Sequence, residues 1–125
     1  MSRSPLFSAA EADDPAAIAS LLAKPETGGP DSPGPYGLTP LMRAAQKGSA
    51  RALEALLAQG AKADATDQAG NTALMYAAAR GQRACAEKLL AAGASKTHKN
   101  KFGLGPLDWS HWPADGRDIR DLVQE

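Results

Sequence analysis

Glycine recurs at a fixed step of 33 residues, as Gly37, Gly70 and Gly103. Leu41, Leu74 and Leu107 keep that step, as do Ala44, Ala77 and Ser110, and Gly48, Gly81 and Ala114. Leu56-Leu57, Leu89-Leu90 and Leu122-Val123 follow at the same period, and Gly60-Ala61 matches Gly93-Ala94. The N-terminal segment joins at a step of 35: Pro5-Leu6 aligns with Pro40-Leu41, Ala9-Ala10 with Ala44-Ala45, and Leu21-Leu22 with Leu56-Leu57. Such self-similarity marks a repeat array, in which each unit buries its apolar face only against its neighbours.

Composition decides what the units are made of. Alanine supplies 27 of the 54 apolar residues, whereas Val occurs once, Ile twice and Thr five times. β-Branched residues are too scarce for a sheet, and alanine favours helix. Thr39-Pro40 and Thr72-Ala73 read as helix starts, with the Thr hydroxyl capping free N–H groups and proline suited to the first helical position. Leu41, Ala44 and Ala45 then share one face at i, i+3, i+4 spacing. Gly48 and Gly81 end that helix, because glycine takes the left-handed cap conformation without steric cost. A second helix carries Leu53, Leu56 and Leu57, or Leu89 and Leu90, and stops at Gly60 or Gly93. A polar connector such as residues 63–70 leads to the next unit. One unit is therefore helix, turn, helix and hairpin-like finger, and the fold expected is an all-α solenoid.

Here the sequence resembles the ankyrin-repeat family. The resemblance is carried by Gly37-Leu38-Thr39-Pro40-Leu41-Met42-Arg43-Ala44-Ala45-Gln46-Lys47-Gly48 and by Gly70-Asn71-Thr72-Ala73-Leu74-Met75-Tyr76-Ala77-Ala78-Ala79-Arg80-Gly81. Leu56-Leu57-Ala58-Gln59-Gly60-Ala61 and Leu89-Leu90-Ala91-Ala92-Gly93-Ala94 match a second stretch of the family pattern. It covers roughly residues 4–124 and divides a single domain into an N-terminal cap repeat (1–23), a Pro/Gly-rich loop (24–36), two full repeats (37–66 and 67–99) and a C-terminal cap repeat (100–125). The histidine usual after Thr-Pro-Leu is Met42 or Met75 here, and Asp108 in the last unit. Gly105 stands where the capping Thr belongs, so the last unit's first helix is expected to start weakly. The final helix is expected over 117–124, with Ile119, Leu122 and Val123 inward and Asp118, Arg120 and Asp121 outward. Between Lys24 and Pro35, seven of twelve residues are Pro or Gly, so no regular element fits. That stretch reads as an irregular loop or as a wall of a binding groove.

The inventory for chemistry is thin. The histidines are His98 and His111, and the single cysteine is Cys85. Asp108, Ser110 and His111 lie close in sequence, but adjacent helical residues point about 100° apart, so Ser110 and His111 do not pair as nucleophile and base. Cys85 replaces Ala52 at a place that wants a small buried side chain. Cys85, His98 and His111 lack metal-ligand spacing. Each glycine is explained by the repeat, which leaves no phosphate-binding loop. The expectation is a noncatalytic protein with no cofactor and no metal.

Charge and hydropathy narrow the rest. Lys plus Arg and Asp plus Glu are 14 each, so bulk charge gives no grip on nucleic acid or a membrane surface. No apolar run approaches the ~20 residues of a membrane span. One cysteine suits a reducing compartment, so the chain is expected to be cytoplasmic. Along the chain the charge is uneven. Residues 35–66 carry four positive and two negative side chains, net +2, and residues 67–99 five and two, net +3, between acidic ends. An acidic partner segment would be oriented by that middle.

The family resemblance implies that partners meet the concave face, built from finger tips and first helices. Position by position, the first helices contribute Arg43, Gln46, Lys47, Tyr76, Arg80, Trp109 and Trp112. The fingers contribute Tyr36, Leu38, Asn71, Lys99, Lys101 and Phe102. Trp, Tyr and Arg are the usual binding hot spots. Trp109, Trp112 and Phe102 have a competing role as packing for the last unit. If Tyr76 is a surface anchor, its removal changes stability little. The function expected is a monomeric protein-interaction or scaffold module that binds a partner protein or peptide. Two alternatives are an inhibitor or antitoxin-like protein that occludes a partner enzyme, and a small-ligand binder near Trp109 and Trp112.

Overall fold

The computed structural model describes residues 5–27, 29–110 and 119–124. Among them the chain forms eight α-helices and two 3-10 turns, without a strand. The helices come in pairs: α1 (Pro5–Glu11) with α2 (Pro15–Leu22), α3 (Pro40–Lys47) with α4 (Ala50–Ala58), α5 (Ala73–Arg80) with α6 (Arg83–Ala91), and α7 (Pro106–Trp109) with α8 (Arg120–Val123). First helices pack in sequence, α1 on α3, α3 on α5 and α5 on α7. Second helices form a parallel row, α2 on α4 and α4 on α6. The all-α solenoid expected from the 33-residue step is therefore the observed architecture.

Local chemistry sets the helix ends. Thr39 Oγ1 accepts the Met42 N–H at 3.2 Å, and Thr72 Oγ1 accepts the Met75 N–H at 3.4 Å. Gly48 and Gly81 close α3 and α5 with φ of +74° and +65°. At the matching place after α1 stands Asp13, with φ of +55°. Its carboxylate accepts the Ala52 N–H at 2.8 Å, so it caps α4 from the neighbouring unit. The side chains of Ser49 and Gln82, at the starts of α4 and α6, make no capping bond to their own helices. Ser49 Oγ donates instead to Glu11 O, and Gln82 Nε2 to Gln46 O, both at 3.3 Å. Each ties a second helix to the end of the previous unit's first helix.

The core runs continuously through the stack. Leu53, Leu56, Leu74 and Leu89 have no exposed surface, nor do Ala10, Ala44, Ala45, Ala77 and Ala78. Leu57 and Leu90 sit half-buried at its margin. Cys85 is fully buried, as its alignment with Ala52 requires. On the outer row, Lys88 pairs with Glu54, and Arg83 pairs with Asp121 at 2.8 Å.

Two expectations need correction. The stretch from Lys24 to Pro35 is not devoid of regular turns: 3-10 turns occupy Pro25–Thr27 and Pro35–Gly37. Within it the Asp31 carboxylate accepts the Lys62 N–H at 3.1 Å, and Ser32 Oγ donates to Gly29 O at 2.8 Å. Asp64 accepts the Ser95 N–H at 2.8 Å across the next boundary. Asp31 is thus the repeat equivalent of Asp64, and the Pro/Gly-rich stretch keeps a regular unit's tie. The final helix is also shorter than expected, Arg120–Val123. Ile119 and Val123 are buried and Leu122 is half-buried, whereas Arg117 and Asp118 lie outside the described residues. In the last unit α7 has four residues and no Thr hydroxyl at its start, and Asp108 Oδ2 accepts the Gly105 N–H at 2.8 Å, the place held by Met42 Sδ in α3.

Candidate functional site

The three fingers are five-residue loops at 34–38, 67–71 and 100–104. Each closes on itself through the N–H of its first residue and the carbonyl of its fifth: Gly34 to Leu38 at 2.7 Å, Asp67 to Asn71 at 3.0 Å, and Asn100 to Leu104 at 2.9 Å. Gly37, Gly70 and Gly103 occupy the left-handed position with φ of +76°, +83° and +78°, which is why the period is written in glycine. Asp67 Oδ1 accepts the Ala69 and Asn71 N–H groups at 3.0 and 2.9 Å. Asn100 Oδ1 does the same for Phe102 and Leu104 at 2.8 and 3.0 Å. The first finger has Gly34 at this place, because the buried Phe7 ring fills the space: a Cβ there would lie 2.8 Å from Phe7 Cζ.

Neighbouring fingers are laced together. Tyr36 O accepts the Gln68 N–H, and Ala69 O accepts the Lys101 N–H, both at 3.0 Å. Asn100 Nδ2 donates to Asn71 Oδ1 at 2.8 Å. His98 Nε2 lies 3.1 Å from the Gly70 carbonyl, so that nitrogen carries the proton.

On this frame the sequence-derived residues take distinct places. Tyr36 and Phe102 are the most exposed large apolar side chains among the described residues, at 81% and 76%. Tyr36 also holds φ of +61°, a conformation costly for an aromatic residue. Lys47, Arg80, Lys99 and Lys101 are exposed, and no ion pair among the described residues holds any of them. Leu38, Gln46 and Asn71 are half-buried. Arg43 turns toward the preceding helix: its Nη2 and Nε meet Glu11 Oε2 at 2.7 and 3.1 Å, and its Nη1 donates to Gln46 at 2.9 Å. Trp109 is half-buried against the core. Trp112 lies outside the described residues.

Tyr76 departs furthest from a simple surface anchor. The ring is half-buried against the core, and its hydroxyl donates to Asp67 Oδ2. Burial, and then the bond to Asp67, push its pKa up to about 12. The expectation that its loss leaves stability nearly unchanged is therefore replaced: one carboxylate joins the second finger to α5, and Tyr76 holds that carboxylate. Asp67 and Glu11 carry these ties, and neither is among the residues expected from the sequence to do so. The signal for Asp67 was present, since Asp67 and Asn100 repeat at 33 residues with side chains of the same shape.

Ser110 is fully buried and donates to Leu107 O at 2.6 Å, so its hydroxyl is committed to its own helix. His111 lies outside the described residues. Among the described residues no three His, Cys, Asp or Glu side chains converge as metal ligands, and no helix is long and apolar enough to cross a membrane.

What the frame resembles is decided by the family comparison. A family model for ankyrin repeats matches in three copies over residues 3–100. The chain belongs to the ankyrin-repeat family. The three copies span the first three helix pairs of this ankyrin-repeat protein, and the α7–α8 pair lies beyond the matched residues. No curated protein gives a significant match. Ankyrin repeats are in general protein–protein interaction modules.

Proposed function

We propose that this ankyrin-repeat chain is a noncatalytic binding module that docks a partner protein or peptide on the face made by its fingers and first helices. One observation carries the reading. Tyr36 and Phe102, the two most exposed large apolar side chains among the described residues, both sit on finger tips, and Lys47, Arg80, Lys99 and Lys101, exposed and without an ion pair among the described residues, lie on the first helices or at the third finger. Aromatic rings supply large contact area at small entropy cost, and uncompensated lysines and arginines steer an acidic partner. Most of the residue ties run within a unit or to the next one, so the face is preformed and docking costs little ordering. A single, fully buried cysteine is in keeping with a reducing, cytoplasmic setting.

The test is capture of partners from the source lysate on wild type beside a folded Tyr36→Asn/Arg80→Ala/Phe102→Ala variant, followed by titration of each captured protein. A partner held by wild type and released by the variant supports the reading. A partner bound equally by both moves the site to the outer helices, and no partner at all overturns the module reading.

A further inference from the structure

The bonds between fingers run in one direction. At each boundary a tip carbonyl of the earlier finger accepts an N–H of the later one, Tyr36 from Gln68 and then Ala69 from Lys101. The third carbonyl of this series belongs to Phe102, which accepts no hydrogen bond among the described residues. Space tells the same story. A Cβ on Gly37 would lie 3.1 Å from Gln68 N, and one on Gly70 would lie 3.1 Å from Lys101 N. On Gly103 it would meet nothing within 4 Å. The slot filled by the next finger's backbone beside the first two fingers is open, among the described residues, beside the third. At the opposite end the series is closed, because Pro35 stands at the place of Gln68 and Lys101 and has no N–H.

The side chains around the open slot describe its occupant. The Phe102 ring is 76% exposed, and Leu107 at the start of α7 is 38% exposed. Lys101 precedes Phe102 on the third finger and Lys99 stands just before that finger, both exposed and without an ion pair among the described residues. A free backbone acceptor, an apolar platform and two uncompensated cations together suit an extended, acidic segment.

We propose that the outer flank of the third finger is a docking site for an extended acidic segment of a partner protein. The segment donates a backbone N–H to Phe102 O, passes beside Gly103, rests an apolar side chain on the Phe102 ring and sets its carboxylates near Lys99 and Lys101. A second copy of this chain does not fit, because its first finger presents Pro35 where the donor is required. This inference rests on the protein-binding reading and narrows it to one flank and one partner chemistry.

The test uses ten-residue peptides selected from a randomised display library on the full chain, then synthesised and titrated. The expected peptides are rich in Asp and Glu. Their affinity falls about tenfold or more for Phe102→Ala and for Lys99→Glu/Lys101→Glu, and methylating one particular peptide nitrogen costs about tenfold. These side chains are exposed, so circular dichroism of the variants should match wild type. Peptides that bind both variants normally but lose affinity on Arg80→Ala or Tyr36→Asn overturn the flank site and leave the binding-module reading standing. Neutral or basic peptides, or none enriched, overturn the acidic-segment proposal, while lysate capture continues to test the module reading separately. A concentration-dependent dimer abolished by Phe102→Ala overturns it by giving the flank to a second copy.

Discussion

The Tyr76 hydroxyl binds the Asp67 carboxylate oxygen that the second finger leaves free, while the other oxygen holds the Ala69 and Asn71 amides. One carboxylate thus fixes the finger and fastens it to α5. Tyr76→Phe keeps the ring and removes the bond, and should cost about 1–3 kcal/mol in urea unfolding. The pH dependence has a definite sign. The unfolded phenol ionises near 10 and the folded one at about 12, so the folded state holds the proton longer. Its stabilising contribution is complete below pH 10 and is lost as pH rises toward about 12. The stability gap between wild type and the variant should narrow over that window. A gap that stays constant would mean the hydroxyl is not bonded in solution.

Asp13 should show two opposing effects. Its carboxylate caps α4 across a unit boundary, while its φ of +55° is unfavourable for any residue but glycine and, less so, Asn or Asp. Asp13→Gly loses the cap but relaxes the backbone, whereas Asp13→Ala loses the cap and keeps the strain. Thermal melts should rank them wild type, then glycine, then alanine, with the alanine variant down by about 1–3 kcal/mol.

Leu74 is fully buried in α5, which packs on both α3 and α7. Leu74→Ala should cost about 2–5 kcal/mol, read from the denaturation midpoint. An unchanged midpoint would contradict the packing of the middle unit.

Tyr36 holds a left-handed backbone on an exposed turn, and its ring is 81% exposed. Tyr36→Asn keeps a residue that tolerates this conformation and gives up no core contact. Stability should rise by about 1 kcal/mol, while affinity for a captured partner should fall. A rise in stability with affinity intact would mark the ring as dispensable for docking.

Cys85 has no exposed surface, and burial pushes its thiol pKa up to about 11. Little thiolate exists at neutral pH, and reagent reaches it only when the stack opens. Iodoacetamide labelling followed by mass spectrometry should be slow in the native protein and fast in denaturant. Native labelling as fast as that of a free thiol would place Cys85 at the surface.

Much of this was legible because the period is written in residues whose backbone demands are strict. Gly48 and Gly81 close helices in the left-handed conformation, Thr39 and Thr72 open them, and these roles follow from residue type and spacing alone. The exposed positions of Tyr36, Phe102, Lys47, Arg80, Lys99 and Lys101 also follow from the alignment of units. What escaped were contacts whose spacing matches no local rule. Tyr76 reaches Asp67 back across a turn, so helical periodicity says nothing about it. The alignment puts Arg43 on a first helix, yet whether a long side chain meets a partner or Glu11 depends on its rotamer. Asp31 was hidden by its surroundings: seven breakers in twelve residues read as irregular chain, though the 33-residue step to Asp64 was there to be counted.

The carboxylate ties Asp31 to Lys62 and Asp64 to Ser95 each cross a single boundary between units. Curvature in such a stack is therefore a sum of separate hinge angles, each set by its own pair of neighbours. A rigid body laid across all three fingers would match only one combination of those angles. Damage to one boundary would shift the outer fingers relative to each other while every finger kept its shape. A binding defect could then arise from a substitution far from any residue the partner touches.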